Sequence, residues 1–133
     1  TVSFETPLRH QHTSETYGIN FLTQNYTISL IVDTRYFPEL MKHYTGEFLI
    51  INVVRHTVDK EMKSWLYHLS VADVKEIVKT LKPKVTILNH FGMTMIKAQP
   101  RVVAERLSQE TGLKIIAAGD GMKFSFADMK NEE

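Results

Sequence analysis

The feature that most restricts the fold of this chain is an apolar run at residues 85–93, VTILNHFGM. Its β-branched residues stand between two segments of helical periodicity, which is typical of a strand buried in an α/β sheet. His90 lies where that strand ends, and ligands of α/β sheets collect at the carboxyl ends of the strands. His90 is therefore a candidate site residue. The alternative is a histidine that only hydrogen-bonds the loop after the strand.

The composition is that of one globular domain, and it excludes several function classes. The chain has 133 residues, 43% of them apolar, and a net charge of +1. It can bury a core, but it has no strong field for nucleic acid or an acidic membrane. No apolar run approaches the roughly 20 residues of a membrane helix. Without Cys, any metal must be held by His and carboxylates, and the composition suits a reducing cytoplasm.

The hydrophobic pattern predicts an α/β fold with a mixed sheet and helices on one outer face. Strands are expected at residues 2–5, 18–23, 26–32, 48–53, 85–89, 114–118 and 122–126. Helices are expected at residues 37–44, 70–81 and 100–111. Ser70 and Asp73 have the spacing of a capping box at the start of the second helix. The last two strands could pair antiparallel, a long polar loop covers residues 54–67, and a frayed charged tail covers residues 127–133.

Two more element boundaries carry residues that could bind a metal or move a proton. Asp33 directly follows a strand, so its carboxylate stands where that strand leaves the sheet; the alternative is a turn residue. His68 precedes a capped helix, where it could hold a phosphate or pass a proton. Its alternative is a surface histidine beside a cap. Because Asp33 and His90 each end a strand, a shared site is more plausible than either residue alone suggests.

A histidine pair, His10 and His12, precedes the second strand. Both side chains would face the same side of an extended segment, and their spacing alone does not select between them. His43 and His56 have no comparable setting and are interpreted as surface residues. The GDG segment at 119–121 lacks the lysine and the helix of a phosphate loop, which favours a hairpin turn. Since no Gly-rich loop follows any strand, a doubly wound nucleotide-binding domain is excluded.

The order of these motifs resembles that of the metallo-β-lactamase superfamily of metal-dependent hydrolases, in particular its ribonuclease Z-like and phosphodiesterase-like branch. The motifs are, in chain order, HTSETYG (12–18), VDT (32–34), YHLS (67–70), LNHFGM (88–93) and AAGDGM (117–122). Each is weak alone, but together in this order they are specific. The resemblance covers nearly the whole chain, yet only the second half of the family fold. Residues 1–133 are therefore expected to be the C-terminal half of such an αβ/βα sandwich domain.

The resemblance implies a role for each candidate residue. His12 and His90 would each bind a metal ion, and Asp33 would bridge two ions. The spacing to the glycine of the first motif favours His12, with His10 as second choice. His68 would be the catalytic residue, which contacts the scissile phosphate. The cofactor would be a divalent metal, with zinc as the first choice and two ions in the complete protein.

The superfamily's first motif, His-x-His-x-Asp-His, is absent from these 133 residues. In the family that motif supplies most ligands of both metals and lies in the preceding half. This chain alone is therefore expected to be inactive, and an N-terminal half of the same domain, or a second chain, is expected as its partner.

Two functions of different classes follow. The first is part of a cytoplasmic metal-dependent hydrolase that cleaves phosphodiester or other ester-like bonds by metal-activated water. The second is a non-catalytic structural or interaction domain with an incomplete metal site, which pairs with another chain or with further copies as a homo-oligomer.

Overall fold

The structure, a computed structural model, describes residues 1–57 and 67–130. Within these residues, six strands form one sheet: β1 Ser3–Glu5, β2 Ile19–Leu22, β3 Thr27–Ile31, β4 Phe48–Asn52, β5 Val85–Asn89 and β6 Lys114–Ala117. The same residues form five helices: α1 Leu40–His43, α2 Val71–Leu81, α3 Met93–Lys97, α4 Pro100–Thr111 and α5 Phe126–Lys130. The predicted α/β class with a mixed sheet is confirmed.

The strands follow one another across the sheet in chain order. β1, β2 and β3 pair antiparallel, so the second and third strands form a hairpin. From β3 to β6 every pairing is parallel. The carboxyl ends of β3, β4, β5 and β6 therefore meet at one edge of the sheet, and this edge is where the candidate residues lie.

Two hydrophobic clusters cover the two faces of the sheet. The larger one joins β3 to β6 with side chains of α1, α2, α3 and α4. The smaller one, on the opposite face, contains Phe48, Val85 and Ile87, with Phe126 of α5 packed against them. The pattern suggests that Ile87 lies beside Val74 of α2, but this is wrong: the two belong to different clusters. Alternation along β5 points Ile87 away from the helix layer.

Helix α2 begins as its sequence predicts. The Ser70 hydroxyl accepts a hydrogen bond from the Asp73 N–H, and the Asp73 carboxylate accepts one from the Ser70 N–H at 2.9 Å. This capping box satisfies two backbone donors that a helix start otherwise leaves free. Val74, Ile77 and Val78 form the buried stripe of the helix. Since the box fixes where α2 begins, it also fixes the position of His68, two residues before the cap.

The end of the chain differs from its prediction. Residues 122–125 are irregular, so the expected seventh strand is wrong, and β6 has no antiparallel neighbour after it. The alternating segment mimics a strand because Phe124 and Phe126 both pack on the sheet face; Phe126 lies 5.0 Å from Phe48 between ring centroids. The tail, expected to be frayed, is helical through Lys130, whose ammonium pairs with Glu47 at 2.5 Å.

Three smaller differences concern helices and a loop. The helix expected at 37–44 begins only at Leu40, after a turn closed by the Leu40 N–H and the Phe37 carbonyl at 3.1 Å. Helix α3 has no counterpart in the predicted pattern. Most of the polar loop expected at 54–67 lies outside the described residues.

No helix in residues 1–57 or 67–130 is both long and apolar enough to cross a bilayer.

Candidate metal centre

Asp33 and His90 meet at the carboxyl edge of the sheet. Asp33 follows β3 and His90 follows β5, with β4 between these two strands in parallel register. His90 Nε2 lies 3.4 Å from Asp33 Oδ1. The sequence predicts that the two residues face the same edge and lie within about 12 Å, as shared ligation requires. That prediction is confirmed.

His68 joins this pair from the loop before α2. Its Nδ1 lies 3.7 Å from the same Asp33 Oδ1. Two backbone bonds hold the segment around it against the exit of β4: Arg55 N–H to the Leu69 carbonyl at 3.4 Å, and Val71 N–H to the Arg55 carbonyl at 3.0 Å. Three separate connections of the fold thus deliver one side chain each to the same point.

The backbone at His90 is in a sparsely populated conformation. Its φ is +60°, in the left-handed region that residues other than glycine seldom adopt. Gly92 then passes close to β4: its N–H donates to the Val54 carbonyl at 2.9 Å, and a Cβ at Gly92 would lie 2.7 Å from that oxygen. Such strain persists where surrounding contacts impose it, and it clusters at functional sites.

The three side chains fit a divalent metal ion. Asp33, His68 and His90 each offer one ligand atom, and all three atoms lie within 4.8 Å of one another. Asp33 Oδ1 and His68 Nδ1 are buried, yet neither has a hydrogen-bond partner among the residues that the structure describes. Ligands held at about 2.0–2.2 Å from one tetrahedral ion are roughly 3.4 Å apart, close to the separations found here. Imidazole with carboxylate is also a donor set that zinc accepts.

The surroundings of His68 favour its neutral form. Burial is the main cause that lowers its pKa below the ordinary value, and the neighbouring His12, His90 and Arg55 lower it further, while the carboxylate of Asp33 acts in the opposite direction. A neutral imidazole keeps a free lone pair, which both metal binding and proton acceptance require.

His12 lies next to this group but outside it. Its ring is 5.4 Å from the His68 ring between centroids, and its Nδ1 is 3.3 Å from the Tyr67 carbonyl oxygen. Among the described residues, His12 is not part of the group whose ligand atoms lie within 4.8 Å of one another. The structure thus brings together Asp33, His90 and the predicted catalytic residue His68, with the predicted ligand His12 one ring away.

His10 has a different environment from His12. It is 3% exposed, its Nδ1 donates to the Val32 carbonyl at 2.5 Å, and its Nε2 pairs with the Tyr44 hydroxyl. The two histidines do not share a face because residues 12–14 form a bend rather than an extended strand. Sequence reasoning missed the partner Tyr44, and nothing in its local sequence could have indicated it.

The remaining candidate residues are peripheral. His43 is exposed, as expected, and His56 is half-buried, with its N–H bonded to Thr94 Oγ1 at 3.0 Å. The GDG segment does form a turn, closed by the Met122 N–H and the Gly119 carbonyl at 3.0 Å. This turn does not join a hairpin, because residues 122–130 form no strand.

A cleft of about 440 Å³ opens beside His90, between the ends of β5 and β6. Asn89 and Asp120 line it with hydrogen-bonding groups, and Phe91 and Ile96 line it with apolar surface. The Asn89 amide oxygen is buried without a hydrogen-bond partner. The cleft can therefore hold a group that is apolar on one side and carries hydrogen-bond donors on the other.

Known structures share this architecture. The chain superposes on the metallo-β-lactamase fold protein YhfI of Bacillus subtilis with a TM-score of 0.72 and 15% identity, over 92% of this chain and 48% of that one. It matches the short form of human tRNase Z (TM-score 0.60, 15% identity, 89% and 41%). It also matches a diphosphatase of the PhnP family (TM-score 0.66, 20% identity, 94% and 44%).

At the level of sequence, an uncharacterized protein of Methanocaldococcus jannaschii is 31% identical over 96% of this chain. The chain spans about half the length of that curated relative, 48%. No family model matches. The matches to known structures show that the chain has part of the metallo-β-lactamase fold, which is the fold that its motifs predicted.

Proposed function

We propose that this chain is the C-terminal half of a metal-dependent hydrolase that cleaves phosphodiester or related ester bonds. The observation that carries the proposal is the convergence of Asp33, His68 and His90, in which two buried ligand atoms have no hydrogen-bond partner within the described residues. The tRNase and diphosphatase neighbours, each matched over less than half of its length, support ester bonds of phosphate as the substrate class.

Asp33 and His90 would hold the ion directly, and Asp33 would be shared with a second ion that His12 also holds. His68, although near enough to be a third ligand, would stay free of the ion so that it can move a proton. Zinc is the metal that we propose, because imidazole and carboxylate suit it. When bound, a divalent ion supplies Lewis acidity: it polarises a phosphoryl oxygen and lowers the pKa of water. The second ion would need further ligands from an N-terminal half that carries the His-x-His-x-Asp-His motif.

His68 would move the proton. Its lowered pKa favours the neutral ring, which can accept a proton as the attacking water loses one and return it to the leaving oxygen. Its position 3.7 Å from Asp33 keeps it within reach of the reacting atoms. The cleft beside His90 would bind the substituent on the ester, with Phe91 and Ile96 excluding water from one side.

The test uses the full-length protein. Elemental analysis should find bound divalent metal, and a chromogenic phosphodiester such as bis(p-nitrophenyl) phosphate should be hydrolysed. His43→Ala, which changes an exposed histidine away from the centre, is the matched control and should keep both properties. Protein that holds no metal and turns over no ester would refute the proposal.

A second candidate is a non-catalytic domain that pairs with another chain or with copies of itself. Large apolar side chains that are more than half exposed favour it: Val2, Phe4, Met93 and Ile96. In soluble proteins, exposed apolar surface marks an interaction site where it is contiguous. Light scattering separates the two candidates, because a monomer that binds no apolar dye would contradict the pairing. The cytoplasm stays our prediction for its location.

A further inference from the structure

The segment that carries His12 is fastened to the segment that carries Asp33 by a short ladder of bonds. The Gln11 N–H donates to Thr34 Oγ1 at 3.1 Å, and the Arg35 N–H donates to the Gln11 carbonyl at 3.0 Å. His10 adds the contact nearest the site, since it bonds the carbonyl of Val32, directly before Asp33. The loop also closes on itself, through the His10 N–H and the Thr16 carbonyl at 2.7 Å.

The chemistry of these partners fixes the His10 ring in one form. A carbonyl oxygen only accepts hydrogen bonds, so the Nδ1 that faces Val32 must carry the hydrogen. In the neutral ring Nε2 is then an acceptor, and the Tyr44 hydroxyl must donate to it. Both ring nitrogens are thereby occupied, and neither has a lone pair free for a metal ion.

The backbone at Gly18 packs closely against the His10–Tyr44 pair. Gly18, at the end of the loop, touches the pair: a Cβ there would lie 1.9 Å from the Tyr44 oxygen and 2.8 Å from His10 Nε2. Tyr44 itself is the C-cap residue of α1 and is 3% exposed. The pair is thus anchored in the protein core on one side and bonded to the backbone before Asp33 on the other.

The following inference rests on the proposed function. We propose that His10 and Tyr44 are positioning residues, which hold His12 and Asp33 in place for metal binding, and that His10 is not a ligand. The contacts that orient metal ligands change affinity about 10- to 100-fold when they are removed. Loss of the Tyr44 hydroxyl would release the His10 ring, and with it the Val32 carbonyl and the Asp33 backbone. The effect on the ion is therefore indirect.

The first measurement is zinc titration of full-length protein, with far-UV circular dichroism to select a temperature at which every variant is folded. Tyr44→Phe and His10→Asn should each weaken zinc binding about 10- to 100-fold. Two controls make the same chemical changes elsewhere. Tyr36→Phe removes a hydroxyl whose contact is the Met41 sulfur at 4.0 Å, and His43→Asn changes an exposed ring. Both controls should bind zinc as the wild type does.

The second measurement needs no variant. In ¹⁵N NMR of the wild type, the His10 ring should show a protonated Nδ1 and an unprotonated Nε2, unchanged on adding cadmium. The His90 ring should show coupling to ¹¹³Cd, and His10 should not. Coupling at His10 would make it a ligand and overturn the inference.

The outcomes separate the two proposals. If the wild type binds zinc and both variants bind it equally well at a lower melting temperature, the His10–Tyr44 pair is merely structural and the inference fails. The proposed function survives that result. If the wild type binds no metal, the proposed function fails and the inference fails with it.

Discussion

Two polar clusters lie at the same edge of the sheet, and their hydrogen bonding is opposite. In the first, the buried ring of His10 has partners for both nitrogens, Val32 and Tyr44. In the second, Asp33 Oδ1 and His68 Nδ1 are equally hidden from solvent, but neither has a hydrogen-bond partner in residues 1–57 and 67–130. A buried polar atom without a hydrogen-bond partner lowers the free energy of unfolding by about 1–3 kcal/mol. A fold therefore keeps such an atom where the atom has another role. We therefore interpret the His10 cluster as structural and the cluster of Asp33 and His68 as the candidate site.

The largest expected effects break the second cluster. In the full-length protein, His90→Ala should remove metal and activity together, because His90 is held by a rigid strand. His68→Ala should leave the metal in place and lower turnover by about 10²–10⁴, the usual contribution of a proton-transferring group. Elemental analysis and steady-state kinetics measure the two. The opposite pattern, with metal lost at His68 and kept at His90, would exchange their roles.

Next come the core residues behind both clusters. Val74→Ala and Ile87→Ala should each lower the free energy of unfolding by about 2–4 kcal/mol, since each leaves a cavity. The two residues are 0% and 6% exposed and lie on opposite faces of the sheet, so their effects should add. Urea denaturation of the single and double variants measures this. Losses under about 0.5 kcal/mol at both sites would refute the assigned core.

A smaller effect is expected in the satisfied cluster. Tyr44→Phe should lower the free energy of unfolding by about 1–3 kcal/mol, because it leaves a buried ring nitrogen of His10 without its donor. Tyr36→Phe, whose hydroxyl meets a sulfur at 4.0 Å, should change it by less than about 0.5 kcal/mol. Equal losses of unfolding free energy in the two variants would mean that the bond from the Tyr44 hydroxyl to His10 does not stabilise the fold.

The smallest effect is a pH dependence. Burial lowers the pKa of His10 in the folded protein from its ordinary value of 6.5, more than its bond to Val32 and the charge of Asp33 raise it. Above that pH both states are neutral and stability is complete; as the pH falls through 6.5, the unfolded chain takes up the proton first. The free energy of unfolding should then fall by up to about 1.4 kcal/mol per pH unit for this group.

Denaturation of the metal-free protein at pH 7, 6 and 5 measures this slope. His10→Asn should make the slope shallower and leave the part that the lowered pKa of His68 contributes, whereas His43→Asn should leave the slope as in the wild type. A slope that His10→Asn does not change would mean that another group controls the acid sensitivity.

Much of this protein follows from its sequence alone, because the relevant signals are local. The apolar run of β5, the capping box of Ser70 and Asp73, and the glycine after α4 each depend on neighbours within a few residues. Asp33 and His90 were also predictable as a pair, since parallel strands must end at the same edge.

Only the tertiary structure decided the rest, because those features depend on residues far apart in the chain. The local spacing of His10 and His12 does not distinguish them. The bend at residues 12–14 and the contact of His10 with Tyr44, 34 positions away, place His10 in the core and leave His12 beside the site. Phe124 and Phe126 alternate like a strand, yet they are buried against the sheet face from a loop and a helix. His68 approaches Asp33 only because the start of α2 is bonded to the end of β4, a contact that no local pattern records.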